Sequence, residues 1–343
     1  MKNIIFIDGG HHGMRFMSKC KEEDTAENGY QLWRYYFLNS IFHYIENFDA
    51  QEVIIATDSK NNWRRKIFPY YKGDRKFKRK VQEQDTWFTF QKYYEIFTEF
   101  LTSISKNLPL KVITIDGTES DDIIGILVSS EQLKNYQKII ITNDNDYIQL
   151  LAQPNTKLYN SISKGFMTHD NPKRALLIKT LTGDKGDFVP SIMDRHMFKP
   201  EFIQYCLNEK IDENEHNLLI RLENNENLLL DLTLKFQDKY GIKPSKVFIF
   251  TEKKAEELLE TGKMKEFLAE KNLTKKFLRN NSLINLTDQP KEVKEIILKT
   301  YENYEMNASI KQFFNFSMEQ GFTEIINDQQ RFVNILRPLY ANS

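Results

Sequence analysis

Residues 1–10 read MKNIIFIDGG, in which a run of four apolar strand-formers, Ile4 to Ile7, ends on Asp8. The same pattern recurs in VIIATDS at 53–59, KVITIDG at 111–117 and KIIITNDND at 138–146, with a weaker run, KLYN, at 157–160. Near-continuous Val/Ile stretches of this kind fit strands covered on both faces. Between them lie long segments of helical spacing, such as Tyr30 to Phe48 and Thr86 to Ser105. Strands alternating with helices predict βαβ units and therefore an α/β fold, a mainly parallel twisted sheet flanked by helices.

After about residue 170 the sequence turns helix-rich and charged, as in EKKAEELLETGKMKEFLAEKN at 252–272, with KVFIF at 246–250 as the one strand-like exception. At 343 residues the chain exceeds the usual size of one hydrophobic core. Two domains are expected: an α/β domain over 1–180 carrying a basic insertion at about 60–85, and a mainly helical domain over 181–343. The composition, 40% hydrophobic and 13% aromatic, is globular, and no apolar run approaches the roughly 20 residues needed to cross a bilayer. The N-terminus enters a strand pattern without the apolar stretch of a signal peptide, so a cytoplasmic location is expected. Cys20 and Cys206 stand far apart, which argues against a disulfide framework or a zinc site.

Ten carboxylates fall in five short clusters: Asp8; Asp58; Glu119, Asp121 and Asp122 with Asp116 nearby; Asp144 and Asp146; Asp184 and Asp187. Asp8, Asp58, Asp116 and Asp144 each stand at the carboxyl end of a strand-like run, where open parallel sheets bind their ligands. Any one of them serves equally well as a turn former or helix cap. Collectively they exceed what strand composition supplies. Clustered ionised carboxylates repel unless a counter-charge is present. A hard cation such as Mg²⁺ suits oxygen donors, and the six histidines show no ligand spacing. Two such ions about 4 Å apart activate a water and stabilise a leaving oxygen in phosphodiester hydrolysis.

The net charge is zero, 48 basic against 48 acidic residues, but it is unevenly spread. Residues 60–80, KNNWRRKIFPYYKGDRKFKRK, carry ten Lys or Arg, one acid at Asp74 and five aromatics, Trp63, Phe68, Tyr70, Tyr71 and Phe77. A basic stripe interleaved with rings combines phosphate neutralisation with base stacking. The competing reading is a solvated helix face with some core aromatics. An acidic metal site beside such a stripe is the chemistry of a metal-dependent nuclease.

In order along the chain, FIDGG, ATDSKNNWRRKIFPYYKGDRK, DGTESDDIIGIL, ITNDNDYIQLL and LTGDKGDFVPSI resemble the flap-endonuclease superfamily of structure-specific 5′ nucleases, most closely the tailed-bacteriophage ribonuclease H branch of 5′ to 3′ exonucleases. The resemblance extends more weakly to FLRNNSLINLTDQP at 277–290. It implies a PIN-like fold with a helical arch and a helical C-terminal domain. It also implies that Asp8, Asp58, Glu119, Asp121, Asp122, Asp144 and Asp146 are metal ligands or their close supports, with Asp184 and Asp187 completing a second metal position. Asp116 has no counterpart in the family. The cofactors implied are two Mg²⁺ ions, with Mn²⁺ as a substitute.

By the same resemblance the arch clamps or threads a 5′ single strand, and Lys72 and Arg75 hold the scissile phosphate. Arg64, Arg65, Tyr70, Tyr71, Lys76, Lys78 and Arg79, with Trp63, are expected along the strand, although packing within the arch is the alternative for the aromatic and Arg64–Arg65 positions. Lys185, with Arg195 and Lys199, is expected to meet phosphates. The chain departs from the family where a Gly-rich turn usually grips duplex backbone, because no glycine occurs between Gly186 and Gly241.

The expected reaction is Mg²⁺-dependent hydrolysis from a 5′ end on RNA–DNA hybrids or branched duplex DNA, serving removal of lagging-strand RNA primers in phage-type replication. The protein is expected to act as a monomer without a membrane partner, and a single-stranded-DNA-binding protein or a sliding clamp are candidate recruiters. The stretch NASIKQFF at 307–314 approximates a clamp-binding peptide, but its Ile310, Phe313 and Phe314 also sit at helix-face spacing, which favours core packing. The rival readings are a PIN-type endoribonuclease, which is usually shorter and lacks an arch, and a catalytically silent nucleic-acid-binding protein on the same scaffold.

Overall fold

The computed structural model describes residues 1–23, 25–75 and 87–341. The chain divides into two compact units, the first formed by residues 1–62, 85–173 and 286–343, the second by residues 63–84 and 174–285.

In the first unit six strands make one sheet: β1 (Asn3–Asp8), β2 (Ala50–Thr57), β3 (Lys111–Thr114), β4 (Gln137–Ile141), β5 (Thr156–Asn160) and β6 (Gly165–Met167). Their order is β3-β2-β1-β4-β5-β6. All neighbours are parallel except β5 and β6, which run antiparallel. The five predicted runs in this region are all strands, and only β6, three residues long and opened by a glycine, escaped the pattern.

The Val/Ile runs are continuous because both sheet faces are covered. Ile5, Ile7, Val53, Ile55, Ile139 and Ile141 enter one buried cluster, whereas Ile4, Phe6, Ile54, Ala56, Ile113 and Ile140 enter another. The period-2 alternation of the pleat therefore divides each run between two cores.

On the first face pack the helices Ala26–Phe48 and Phe90–Asn107, with Thr25 and Thr89 as their N-caps. The helix Ile310–Glu319 joins them, placing Phe313 and Phe316 at 0% exposure. Of the clamp-like stretch Phe313 is built into the core and Phe314 packs against it half-buried, whereas Ile310 is exposed. No described helix is long and apolar enough to cross a membrane.

The second unit is mainly helical, with helices Pro200–Asn208, Glu215–Asn224, Glu226–Tyr240, Glu252–Glu260, Met264–Glu270 and Thr274–Ile284. It also holds an antiparallel ribbon of β7 (Arg195–Phe198) and β8 (Ser245–Phe248). β8 matches the predicted KVFIF run. β7 was hidden because Arg195 and His196 break its apolar character.

The turn LTGDKGD is anchored from several sides. Gly183 adopts a positive φ of 76°, and a Cβ there would lie 2.5 Å from the Val189 carbonyl oxygen. Asn280, fully buried, donates to the carbonyls of Thr180 at 3.1 Å and Pro190 at 2.9 Å.

Candidate metal centre and nucleic-acid-binding site

In the first unit the order β2-β1-β4 places three strand ends side by side, and the connections diverge to opposite sides of β1. Such a switch point leaves a crevice beyond the carboxyl ends of the strands. Asp8 closes β1, Asp58 directly follows β2, and Asp144 follows β4 by three residues.

Asp8 has two structural partners. One carboxylate oxygen accepts from the His11 amide at 3.0 Å, capping the helix Gly9–Cys20, and the other accepts from the Tyr147 hydroxyl at 3.0 Å. Burial raises the Tyr147 hydroxyl pKa well above its ordinary value, and the nearby carboxylates of Asp8, Asp121 and Asp144 raise it further. Tyr147 thus holds Asp8 directly and feels the charges of the other two acids. No reading of the sequence singled it out, although it directly follows Asp146.

The helix Ser120–Ser129 brings the Glu119 cluster to the same strand ends. Its first amide, Ser120, donates to Asp58 at 2.9 Å, tying the end of β2 to the helix N-terminus. Glu119 and Asp122 form a reciprocal capping box, in which Asp122 accepts from the Glu119 amide at 3.0 Å. The second Asp122 oxygen accepts from the Gln289 amide group at 3.1 Å, and Asp122 is 0% exposed. It acts as a brace for the cluster. Asp144 in turn caps a 3₁₀ segment by accepting from the Asp146 amide at 2.9 Å. Asp116 is exposed and accepts from Asn61 at 3.0 Å.

The donors at this end of the sheet are carboxylate oxygens, the chemistry of a hard divalent cation. Two of the soft or nitrogen donors of this unit, Cys20 and His12, are committed elsewhere. Burial pushes the Cys20 thiol up to about 11, and it pushes the His12 ring down to about 3 while the ring bonds Ser40 at 2.8 Å.

In the second unit Asp184 and Asp187 sit on the LTGDKGD turn. Asp184 accepts from the Gly186 amide at 2.7 Å and pairs with Lys179 at 2.7 Å. Asp187 accepts from the Tyr71 hydroxyl at 2.6 Å and pairs with Arg75 at 3.2 Å and Lys72 at 3.6 Å. Burial acts to raise the Asp187 carboxyl, but Lys72, Tyr71, Arg75 and Arg64 outweigh it and hold the carboxyl below its ordinary range. The Lys72 amide also donates to the Asp187 carbonyl at 2.8 Å, with Lys72 at φ 55° and Phe188 at φ 60° beside this link. Non-glycine residues in that region are strained and cluster at functional sites.

The expected strand contacts divide by burial. Arg65 and Lys185 are exposed and Tyr70 is half-buried. Arg64 and Tyr71 need correction as direct contacts, being 0% and 1% exposed. Arg64 donates to the Leu283 carbonyl at 2.8 Å and lies against the Trp63 and Tyr71 rings, so its charge braces the unit from within. Lys76, Lys78 and Arg79 lie outside the described residues.

The profile of the 5′-3′ exonuclease N-terminal, resolvase-like domain matches residues 3–176, half of the chain. The chain belongs to the 5′-3′ exonuclease family. Among relatives of this exonuclease-family chain, ribonuclease H of Enterobacteria phage T4 is 29% identical over 182 residues, covering 51% of this chain and 58% of that protein. The 5′-3′ exonuclease of Buchnera aphidicola subsp. Schizaphis graminum is 27% identical over 201 residues, covering 56% of this chain and 66% of that protein. The matches thus span 58% and 66% of those relatives' lengths. The fold is also that of the T5 5′-exonuclease solved with divalent zinc ions, with a TM-score of 0.53 at 18% identity over 89% of this chain and 100% of that one. A T5 flap endonuclease solved with DNA and metal ions aligns with a TM-score of 0.50 at 17% identity, over 88% and 100%.

Proposed function

We propose that this exonuclease-family chain is a metal-dependent 5′ nuclease that hydrolyses phosphodiesters of RNA–DNA hybrids and duplex DNA from the 5′ end, as in primer removal. The observation that carries this reading is that Asp8, Asp58 and Asp144 stand at the carboxyl ends of the adjoining strands β1, β2 and β4, with the Ser120 amide tying the helix of the Glu119 cluster to Asp58. The relatives, which include a ribonuclease H, a 5′-3′ exonuclease and a metal-bound 5′-exonuclease, support the substrate class.

In the first unit Asp8, Asp58, Glu119, Asp121, Asp144 and Asp146 are the residues to hold Mg²⁺ or Mn²⁺, with Asp122 as their support; in the second unit Asp184 and Asp187 are the candidates for a further metal position. Such ions supply an activated water and charge stabilisation for phosphodiester hydrolysis. Tyr147 orients Asp8 by its hydrogen bond, and the Ser120 amide orients Asp58. Lys72 and Arg75 hold the scissile phosphate and offset its developing negative charge. Arg65 and Lys185 neutralise phosphates along the strand.

The test is cleavage of a 5′-labelled RNA–DNA hybrid in Mg²⁺ by the Asp144→Asn, Asp146→Asn double variant. Short products from the 5′ end, lost in the variant, are expected. Cleavage left intact would remove the site assignment, and internal cuts in single-stranded RNA would favour a PIN-type endoribonuclease. A wild-type chain that binds the hybrid without cutting it would be the catalytically silent alternative.

A further inference from the structure

The β7–β8 ribbon of the second unit carries a second surface of nucleic-acid chemistry. Arg195 lies opposite Phe248 and Met197 opposite Lys246 in the antiparallel register, so these four side chains share one face. That face is open to solvent: Met197 is 59% and Phe248 46% exposed, and Arg195 and Lys246 are also exposed. Alternation continues beyond β7 at both ends, so that Met193, Arg195, Met197 and Lys199 form an exposed row of apolar and basic residues in turn. Lys246 Nζ lies 5.4 Å from the centre of the Phe248 ring.

Asp194, which interrupts the row in sequence, accepts from the Ser191 amide at 3.2 Å. Arg195 and Lys246 also border a cavity of about 760 Å³ that carries Asp184, Asp194, Glu223 and Glu226. Arg195, Lys199 and Lys246 pair with no carboxylate among the described residues.

We propose that this outward face, Arg195, Met197, Lys199, Lys246 and Phe248, is a platform for single-stranded nucleic acid, resting on the nuclease reading above. Three cations neutralise successive phosphates, while the Phe248 ring and the Met197 thioether receive bases. A single strand fits better than an intact duplex because only unpaired bases present their faces to a ring. Charge complementarity to a polyanion favours this occupant over an apolar protein segment. The platform lies within the stretch where the chain lacks the Gly-rich turn usual in its family.

The test is fluorescence anisotropy of a labelled 25-nucleotide oligo(dT), in EDTA, with the full-length chain and its variants across a range of NaCl concentrations. Stacking on one ring is worth roughly 1–3 kcal/mol, so Phe248→Ala is expected to weaken binding about 5- to 150-fold, with Phe248→Trp restoring it. The Arg195→Ala, Lys246→Ala pair is expected to flatten the slope of log affinity against log salt by about 1.4, some 0.7 per contact. Should Phe248→Ala fail to fold by circular dichroism, Phe248→Leu keeps the apolar bulk without the flat ring and carries the same expectation. Affinity within twofold of wild type together with an unchanged salt slope would overturn the platform, as would a loss confined to blunt duplex. If these variants instead lost capture only of an acidic protein, the face would be a protein-docking surface and the platform would again be overturned. A wild-type chain that binds no nucleic acid at all would sink the nuclease reading beneath it, an outcome distinct from wild-type binding that the variants retain.

Discussion

The Tyr71 hydroxyl donates to Asp187 Oδ2 at 2.6 Å, and Lys72 and Arg75 reach the same carboxylate at 3.6 and 3.2 Å. The two cations assigned to the scissile phosphate are therefore held on an acid assigned to metal, within one unit. Tyr71→Phe removes one hydrogen bond from a largely buried carboxylate and is expected to cost roughly 1.5–3 kcal/mol of stability, read by urea unfolding at pH 7. Because the Asp187 carboxyl is held below its ordinary value, the stability it contributes is present above about pH 4 and is lost as pH falls below that. The gap between variant and wild type should narrow in that acid range, and a gap that widened there would contradict the assignment.

Lys72→Ala and Arg75→Ala are each expected to lower kcat about 10²- to 10³-fold on a 5′-labelled hybrid at saturating substrate, the range for losing one preorganised charge-stabilising group. Arg75→Lys should recover only part of the loss, because an ammonium lacks the planar fork of a guanidinium. Rates within threefold of wild type in both alanine variants would remove these residues from the chemistry.

Dialysis against EDTA is expected to abolish cleavage, with Mg²⁺ or Mn²⁺ restoring it. Metal binding should also raise the melting temperature, since a ligand at 100 times its Kd stabilises the fold by about 2.7 kcal/mol. The Asp144→Asn, Asp146→Asn variant should lose that rise as well as its activity. Calorimetry showing equal Mg²⁺ stabilisation in both proteins would place the metal elsewhere.

Gly125 lies inside the helix whose N-terminus carries the Glu119 cluster, and a Cβ there would stand 2.2 Å from the Leu286 carbonyl oxygen. Backbone on both sides leaves no room to give. Gly125→Ala is expected to destabilise by about 1–3 kcal/mol and to weaken the Mg²⁺-dependent rise in melting temperature, through displacement of the helix end. Wild-type values for both would show that the close approach is dispensable.

His12 is buried against Phe16, Phe37 and Tyr44 and bonded to Ser40, and burial pushes its pKa down to about 3. The folded chain thus refuses a proton that the unfolded chain accepts near pH 6.5. Stability is unaffected by this group above that pH and falls, by up to about 1.4 kcal/mol per unit, as pH drops from 6.5 towards 3. Urea unfolding at pH 7 and pH 5 should show a smaller acid loss in His12→Gln than in wild type. Equal losses would mean that another group carries the acid sensitivity.

The strands β1, β2 and β4 were legible because both of their faces are buried, so the local sequence needs only apolar strand-formers, mostly Val and Ile, whatever the pairing. The acids at their ends were legible for a related reason: Asp is foreign to a buried strand and marks where the chain leaves it. β6 and β7 were not legible. One is too short to show a period, and the other alternates exposed charge with half-buried side chains in a way that a loop could share. Arg64 and Tyr71 stood open between strand contact and packing because residue type does not reveal whether an Arg or a Tyr turns inward.

By itself the sequence determined the order of strands and helices, the residue types at the strand ends and the carboxylate chemistry, since each depends on local composition or spacing. Only the tertiary structure decided which carboxylates have their oxygens taken by the protein. Asp122 is held by Glu119 and by Gln289, a residue 167 positions away in the chain, and Asp187 by Tyr71, 116 positions away. Those partnerships depend on long-range packing that brings a donor within about 3 Å of a chosen oxygen, a distance no residue pattern encodes.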